Sequence, residues 1–473
     1  MSQMSIHEAD AVDAEVADWL HSIIDIPASS LSRKLTEDST HSIHFGISHT
    51  LAETTRKEDY NKFHEPRVVS IGPINHGKPH VKPMENFKQK AVRELAERAK
   101  VDHVSIEQVY ASVEEHLLRT RNYYSTLFES ISDRKWCQMM FLDGCFIIEF
   151  ISNDNIDTSG RRSWLNMKKH DRDLVRRDLL LLDNQLPFHV LDVLARAFRC
   201  EEFTLEFLTM WFLQMPLLNI SSAPNPTFLL YFKGVSYHRH QQWEAQAPVH
   251  LLQYYRYIWI NVLFGDRVEE EDDDDDNKKE DYFTGGPPFS VTELKKAGIP
   301  CSCSSDPFIE IHFKSSILSG KLFLPKLTLD EWGVTLLVNL VAYEFSCNLL
   351  YRSSGISSYL SFMSMLINGE EDVKELRAKG ILQVIFNAGD DELVKFLRNI
   401  TALPESNPQA LRHVKRQIST YFKSKRLPLI VAFSEVKQRY FSGPWSFLVF
   451  LAVIFTVSMT VIQTVLTGIQ TYK

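Results

Sequence analysis

The C-terminal part of the chain contains a long stretch without a charged side chain, from Tyr440 to Tyr472. Within it, residues 445–466 (WSFLVFLAVIFTVSMTVIQTVL) are mainly apolar, and their polar members are Ser, Thr and Gln. A helix rises about 1.5 Å per residue and the hydrocarbon core of a bilayer is about 30 Å thick, so about 20 such residues cross it. A buried core helix is the alternative, but core helices are seldom uncharged on every face. The sequence predicts a transmembrane helix over residues 444–467 and a short tail at 468–473.

The predicted membrane helix has suitable residues at its start and along its length. Pro444 fits the first turn of a helix, and Trp445 fits the aromatic belt at a membrane interface. The predicted partner is the lipid bilayer, and the transmembrane residues that we single out are Trp445, Phe447, Leu448, Phe450, Ile454, Phe455, Val461, Ile462 and Leu466.

Basic residues precede this helix and set its expected orientation. They are Arg412, Lys415, Arg416, Lys423, Lys425, Arg426, Lys437 and Arg439, against one acid, Glu435. The positive-inside rule then places the body in the cytoplasm, and we expect the plasma membrane. The first residues resemble no secretory signal, because they lack a basic and then an apolar region. Glycosylation at the sequons of Asn219 or Asn399 would argue for an extracellular body instead.

Composition limits the function of the body. The chain is 44% hydrophobic and 24% charged, which is typical of a packed globular protein. Its net charge of −8 gives no reason to expect a nucleic-acid partner. Its 6 cysteines are too irregularly spaced for a disulfide scaffold or a zinc module. We therefore expect reduced thiols, no metal and no cofactor.

The hydrophobic pattern predicts a mainly α fold of the α+β class, with a multi-helix body, a small β-hairpin and the C-terminal helix. Residues 1–62 are predicted to be variable and partly disordered, apart from one weakly amphipathic helix. Residues 63–443 form the predicted globular domain. The hairpin is expected within residues 308–329, where apolar and polar residues alternate. The acid run in residues 266–289 predicts a solvated loop, because consecutive like charges repel one another.

Two segments near the start of the domain stand out. Residues 68–73 (VVSIGP) are predicted to form a short strand that Gly72 and Pro73 end, followed by a turn through His76 and Gly77. Residues 172–198 are predicted to be a buried helical region, in which Asn184 or Gln185 caps a helix that starts at Pro187.

Several sequence motifs resemble one plant family. The motifs are VSIGPINHGKPH at residues 69–80, MMFLDGCFIIE at 139–149, RDLLLLDNQLPF at 177–188, NLVAYE at 339–344 and FSGPW at 441–445. In this order they resemble the plant domain-of-unknown-function 247 (DUF247) family, from about residue 67 to residue 470. The motif residues to which we assign no role are Gly72, Pro73, His76, Gly77, Asp143, Gly144, Asn184, Gln185, Pro187 and Pro444.

The resemblance implies a plant membrane protein of undefined biochemistry, with some grass relatives linked genetically to pollen recognition in self-incompatibility. It supplies no catalytic residues, so chemistry must be judged from these residues alone. The sequence has no nucleophile elbow, no phosphate-binding glycine loop and no zinc-protease helix motif. His76 and His80 flank a Gly and a Pro, which favours a structural turn over a metal site.

Acidic residues in the apolar segments offer the one route to catalysis. They are Asp143, Glu149, Asp178 and Asp183. Paired carboxylates can act as acid and base, but buried carboxylates beside arginines more often form structural ion pairs or caps. We therefore expect a non-enzymatic recognition or signalling module with an unknown protein partner. An enzyme that uses these acids, or a receptor-like protein with an extracellular body, are the alternatives.

Overall fold

The structure is a computed structural model. It describes residues 14–24, 63–101, 103–124, 128–154, 167–200, 203–213, 215, 249–264, 289–304, 311–316, 320–346, 355–385, 389–401, 411–423 and 444–471.

Helices make up most of this part of the chain, which confirms the predicted mainly α class. They are α1 (Ala14–Ile24), α2 (Glu85–Val101), α3 (Ile106–Arg119), α4 (Asp133–Asp154), α5 (Lys169–Asp178), α6 (Phe188–Ala197), α7 (Leu205–Leu213), α8 (Leu251–Phe264), α9 (Val291–Lys296), α10 (Glu331–Ser346), α11 (Gly355–Leu366), α12 (Glu370–Ala378), α13 (Asp390–Thr401), α14 (Arg412–Lys423) and α15 (Pro444–Thr471).

Helix α4 lies at the centre of the first half of the body. It is buried on most of its sides, as its apolar sequence predicts, and it packs against α2, α3 and α6. The close contact with α6 depends on Gly144. A Cβ atom at this position would lie 2.3 Å from Leu194 Cδ1 and 3.1 Å from Val190 Cγ1. The missing side chain therefore sets the distance between α4 and α6.

The predicted helical region 172–198 contains two helices, and the second begins directly after Pro187, close to its predicted start. Helix α5 ends at Asp178 and α6 begins at Phe188, with a turn between them. Leu179, Leu180 and Leu181, expected in a helix, lie buried in that turn. Side chains satisfy the backbone groups that the turn frees, as described below.

The predicted β-hairpin is confirmed, with additional strands around it. Strands β2 (His312–Ser315) and β3 (Gly320–Leu324) are antiparallel, and His312 pairs with Phe323. Strand β1 (Cys301–Cys303) pairs in parallel with β3. Strands β4 (Leu327–Leu329) and β5 (Leu382–Val384) form a separate parallel pair. The parallel pairings join segments far apart in sequence, which local alternation does not reveal.

The N-terminal region contributes one helix to the body. Val16, Leu20 and Ile23 of α1 are buried, and the Trp19 ring packs edge-on against Tyr110 at 6.0 Å. The remaining predictions for residues 1–62, the acidic loop up to residue 288 and the sequon at Asn219 lie outside the described residues.

Candidate functional site

Residues 67–72 form an irregular segment that is buried from Val68 to Gly72, and it pairs with no strand of the described chain. The prediction of a strand at residues 68–73 is therefore wrong. Its backbone groups bond to side chains instead. We call these side chains the polar cradle; its members are Lys88, Asp143, Asp178 and Asn184.

Asp178, the last residue of α5, binds the start of the segment. Its Oδ1 accepts a hydrogen bond from the Arg67 backbone amide at 3.0 Å. Its Oδ2 accepts from the amides of Val68 at 2.7 Å and Val69 at 3.1 Å. Arg177 Nη1 also lies 2.7 Å from Oδ1. Burial raises the pKa of Asp178, and Arg177 and the three amides act against that shift. This carboxyl group is occupied by the protein's own backbone.

Asn184 forms hydrogen bonds with the middle of the segment, where a neighbouring strand would otherwise bond. Its Nδ2 donates to the carbonyl oxygens of Val69 at 3.0 Å and Asp178 at 2.9 Å. Its Oδ1 accepts from the Ile71 amide at 2.7 Å. One amide side chain thus donates to and accepts from the same segment. A carboxylate could not do so, because it has no donor.

Asp143 and Lys88 bind the end of the segment as a buried ion pair. Asp143 Oδ2 accepts from the Gly72 amide at 2.8 Å, and its Oδ1 lies 2.6 Å from Lys88 Nζ. Lys88 Nζ also lies 2.7 Å from both Ser70 O and Glu85 Oε1. Burial alone lowers the pKa of Lys88, but the attraction of Asp143 and Glu85 outweighs it and the pKa is raised. Burial raises the pKa of Asp143 despite Lys88.

Gly72 is required where the segment turns away from the cradle. Its φ is +68°, a left-handed conformation that favours glycine. A Cβ atom here would lie 3.0 Å from both Gln185 O and the Tyr124 hydroxyl. The Tyr124 hydroxyl donates to Gln185 O at 2.9 Å, so that contact holds two segments together. Pro73 follows as a buried residue.

Pro187 lies at the start of a helix, as predicted, whereas Gln185 has a role that differs from the predicted one. Helix α6 follows Pro187 directly, and neither Asn184 nor Gln185 caps it, so the capping prediction is wrong. Gln185 Nε2 donates to the carbonyls of Leu179 at 2.9 Å and Leu181 at 2.7 Å, in the turn after α5. Its Oε1 accepts from the Leu252 amide at 3.0 Å, in the first turn of α8. Gln185 therefore joins two helix ends.

The turn at residues 75–80 lies beside the polar cradle and is attached to the body by hydrogen bonds. Asn75 Nδ2 donates to Asp183 O at 2.9 Å. His80 Nε2 lies 2.9 Å from Pro66 O, while His76 and Gly77 are exposed. The two histidines thus do not share a site. Within the described residues, no three His, Cys, Asp or Glu side chains form a metal-binding group.

Two residues of the NLVAYE motif, Asn339 and Glu344, were not among the predicted site residues and lie on α10. Asn339 Oδ1 accepts from the Leu182 amide at 2.8 Å, and its Nδ2 donates to Phe63 O at 2.8 Å. His64 Nδ1 lies 3.1 Å from the same Oδ1. Asn339 therefore connects Phe63 and His64, just before residues 67–72, to the turn between α5 and α6. Its place in the NLVAYE motif was the available signal.

Glu344 fills the same kind of role in the second half of the body. Its Oε2 accepts from the Ser357 amide at 2.8 Å and the Ser357 hydroxyl at 2.6 Å. Its Oε1 accepts from the Ile356 amide at 3.0 Å and pairs with Arg256 Nε at 2.7 Å. These bonds satisfy free amides at the start of α11 and attach it to α8 and α10.

The acidic residues proposed as an acid–base pair are held in separate interactions. Asp143 and Asp178 bind opposite ends of the segment at residues 67–72. Glu149 pairs with Arg98 and accepts from Asn153 Nδ2 at 2.7 Å. Asp183 is half-buried and contributes its backbone carbonyl to Asn75. In this arrangement, side chains form hydrogen bonds with the buried backbone groups of residues 67–72.

The C-terminal helix α15 forms the second candidate site. It runs from Pro444 to Thr471, past the predicted end at residue 467. Its part from Leu451 to Ile469 is long and apolar enough to cross a membrane, and 0% of it is buried. Among the predicted transmembrane residues, Leu448, Ile454, Phe455, Val461, Ile462 and Leu466 are exposed. The side chains of Trp445, Phe447 and Phe450 lie outside the described part.

Comparison with known proteins agrees with the family resemblance of the motifs. The profile of the DUF247 family, described as "Plant protein of unknown function", matches residues 49–459. The chain belongs to the DUF247 family. The cradle therefore consists of residues from the DUF247 motifs around Asp143, Asp178 and Asn184, together with Lys88 from α2.

Two Arabidopsis thaliana proteins are related to this DUF247 chain. UPF0481 protein At3g47200 is 25% identical over 434 residues, which cover 85% of this chain and 82% of the relative. UPF0481 protein At3g02645 is 28% identical over 179 residues, which cover 37% of this chain and 32% of the relative. No solved structure matches the chain.

Proposed function

We propose that this DUF247 protein is a single-pass membrane protein whose helical body acts as a protein–protein recognition or signalling module, and not as an enzyme. One observation carries the first part of this proposal. Helix α15 is uncharged and long enough to span a bilayer, and its apolar side chains within the described residues are exposed. An exposed apolar surface of this length is unfavourable in water and favourable in lipid.

The contacts of the polar cradle support a non-catalytic body. A catalytic acid or base must reach the proton that it transfers. The oxygens of Asp143 and Asp178 are instead directed at backbone amides and at Lys88 and Arg177. The motif residues thus hold the body together, and the outer surface is left to bind a partner.

The basic residues before α15 support a body in the cytoplasm, at the plasma membrane. His413 and Arg416 on α14 are exposed, so part of this basic segment is available to anionic lipid headgroups. Asn399 is also exposed, near the end of α13, and its glycosylation would indicate the opposite orientation.

The topology can be tested with the full chain and a truncation that ends at Gly443, both expressed in plant cells. We expect alkaline carbonate to release only the truncation. External protease should digest the body of the full chain in sealed membranes, and glycosidase should not change its mobility. Release of the full chain by carbonate would contradict the anchor. A protected and glycosylated body would contradict the cytoplasmic orientation.

The recognition role needs a separate test. A biotin ligase fused to the full chain is compared with the same ligase fused to residues 412–473 alone, which supplies the membrane location without the body. We expect a set of proteins that only the full chain labels. Equal labelling by the two fusions would contradict recognition by the body. Turnover of a small molecule by the purified chain, lost in Asp143→Asn without loss of folding, would support an enzyme instead.

A further inference from the structure

One face of α15 carries polar side chains at regular intervals. We call this set the polar stripe; it comprises Thr456, Thr460, Gln463 and Thr467. The three steps are four, three and four residues, and their mean of about 3.7 is close to the 3.6-residue turn of an α-helix, so all four lie on one side of α15. Val465 lies on the other side and is exposed.

The threonines of the polar stripe satisfy their own hydroxyl groups. Thr460 Oγ1 donates to Thr456 O at 2.8 Å, and Thr467 Oγ1 donates to Gln463 O at 2.8 Å. Thr456 Oγ1 donates to Ala452 O. These residues therefore tolerate lipid, and their short side chains leave room for another helix to come close.

Gln463 differs from the threonines. Its side chain is exposed, and among the described residues its amide group has no hydrogen-bond partner. Gln463 lies about 4.5 Å along the helix axis from Thr460, the middle of the Leu451–Ile469 span. That depth is inside the hydrocarbon core, where no water is available to an amide. A polar partner at the same depth would satisfy this amide group.

We propose that this partner is Gln463 of a second copy, and that α15 forms a parallel homodimer along the polar stripe. This inference rests on the membrane anchor proposed above. Every copy enters the bilayer in the same orientation, so two copies pair in parallel with Gln463 at equal depth. A glutamine amide has both donors and an acceptor, so two identical amides can bond to each other reciprocally.

The first test uses two differently tagged full-length chains that are co-expressed, solubilised in mild detergent and captured through one tag. We expect Gln463→Leu to weaken the association about three- to eighteenfold, the range that membrane hydrogen bonds of measured strength give. Gln463→Asn should retain most of it. Ser458→Leu, which removes a polar group from outside the polar stripe, is the matched control and should have no effect. Unchanged capture of Gln463→Leu would overturn the proposal.

The second test locates the contact face in intact membranes. Thr467→Cys and Val465→Cys place a thiol at nearly the same depth on opposite sides of α15. We expect an oxidant to crosslink the Thr467→Cys chain at least about fivefold more than the Val465→Cys chain. Equal crosslinking by membrane-retained chains overturns the homodimer alone. Crosslinking of Thr467→Cys only to a different protein indicates a heterologous partner and also overturns it. Release of the wild-type chain by carbonate overturns the anchor and the homodimer together.

Discussion

Replacing Lys88 by Met should destabilise the body more than any surface substitution. Met has a similar length but no charge, so Lys88→Met leaves the Asp143 carboxylate buried without its cation, at 1% side-chain exposure. Removing one partner of a buried ion pair costs about 3–5 kcal/mol, and Ser70 O also loses its donor. We therefore expect the free energy of unfolding to fall by about 3–5 kcal/mol.

A double-mutant cycle tests whether the uncompensated charge causes this loss. Asn at position 143 is neutral and its Oδ1 can still accept from the Gly72 amide. The Lys88→Met/Asp143→Asn chain contains no buried orphan charge at this pair. Its destabilisation should therefore be smaller than the sum of the two single effects by at least about 1.5 kcal/mol.

Urea unfolding of the full chain in mild detergent, followed by tryptophan fluorescence, measures these free energies. Trp136 is buried on α4, the helix that carries Asp143, and it should report the loss of this part of the core. Lys100→Met on the same helix as Lys88 is the control, because its ion pair with Glu97 is exposed, and we expect less than about 0.5 kcal/mol. Additive effects of the two cradle substitutions would refute the role of the charge.

Three further predictions follow from other buried contacts. Gly144→Ala should cost about 1–3 kcal/mol by overpacking against Leu194, and Leu194→Ala in the same chain should remove that clash, which thermal unfolding of the double variant would show as non-additive costs. Glu344→Gln should cost about 3–5 kcal/mol because it leaves Arg256 buried without its anion, and slower urea unfolding than wild type would contradict this. Burial lowers the pKa of His250 from 6.5 to about 4, so the imidazole is neutral in the folded state at neutral pH. The free energy of unfolding should therefore be constant above pH 6.5 and fall by at most about 3 kcal/mol towards pH 4. The His250→Gln chain should show a flatter pH profile.

Local patterns were enough to predict most helices and the hairpin. Helix α4 is apolar on nearly every side and its burial follows from that composition. The hairpin follows from alternation on both sides of a short polar link. The start of α6 followed from Pro187, but the end of α5 at Asp178 did not follow, because leucines are as compatible with a buried turn as with a helix. Which state they adopt depends on whether distant side chains can satisfy the turn's backbone.

The strand prediction at residues 68–73 failed for a related reason. An apolar segment that ends in Gly-Pro predicts a strand, but residues 68–73 are neither strand nor helix. Their hydrogen-bond partners were assumed to be another strand, but they are Asp143, Asp178 and Asn184. These partners are separated from the segment by about 70 to 115 positions, and no local rule connects side chains across such a distance. The resemblance to DUF247 identified the residues and left their roles open.

The contact between His64 and Asn339 also has a consequence for synthesis. These residues stand 275 positions apart in the chain, so Phe63 and His64, just before residues 67–72, cannot bond to Asn339 until it has left the ribosome. Chains grow at about 5–20 residues per second, so the roughly 105 positions from Asn339 to Pro444 take about 5–20 s. During that interval the newly made body can close around its first segment, before the apolar helix α15 emerges. Chaperones that bind exposed apolar segments would accordingly act twice on the new chain. They would bind the incompletely folded body first and the apolar helix α15 afterwards.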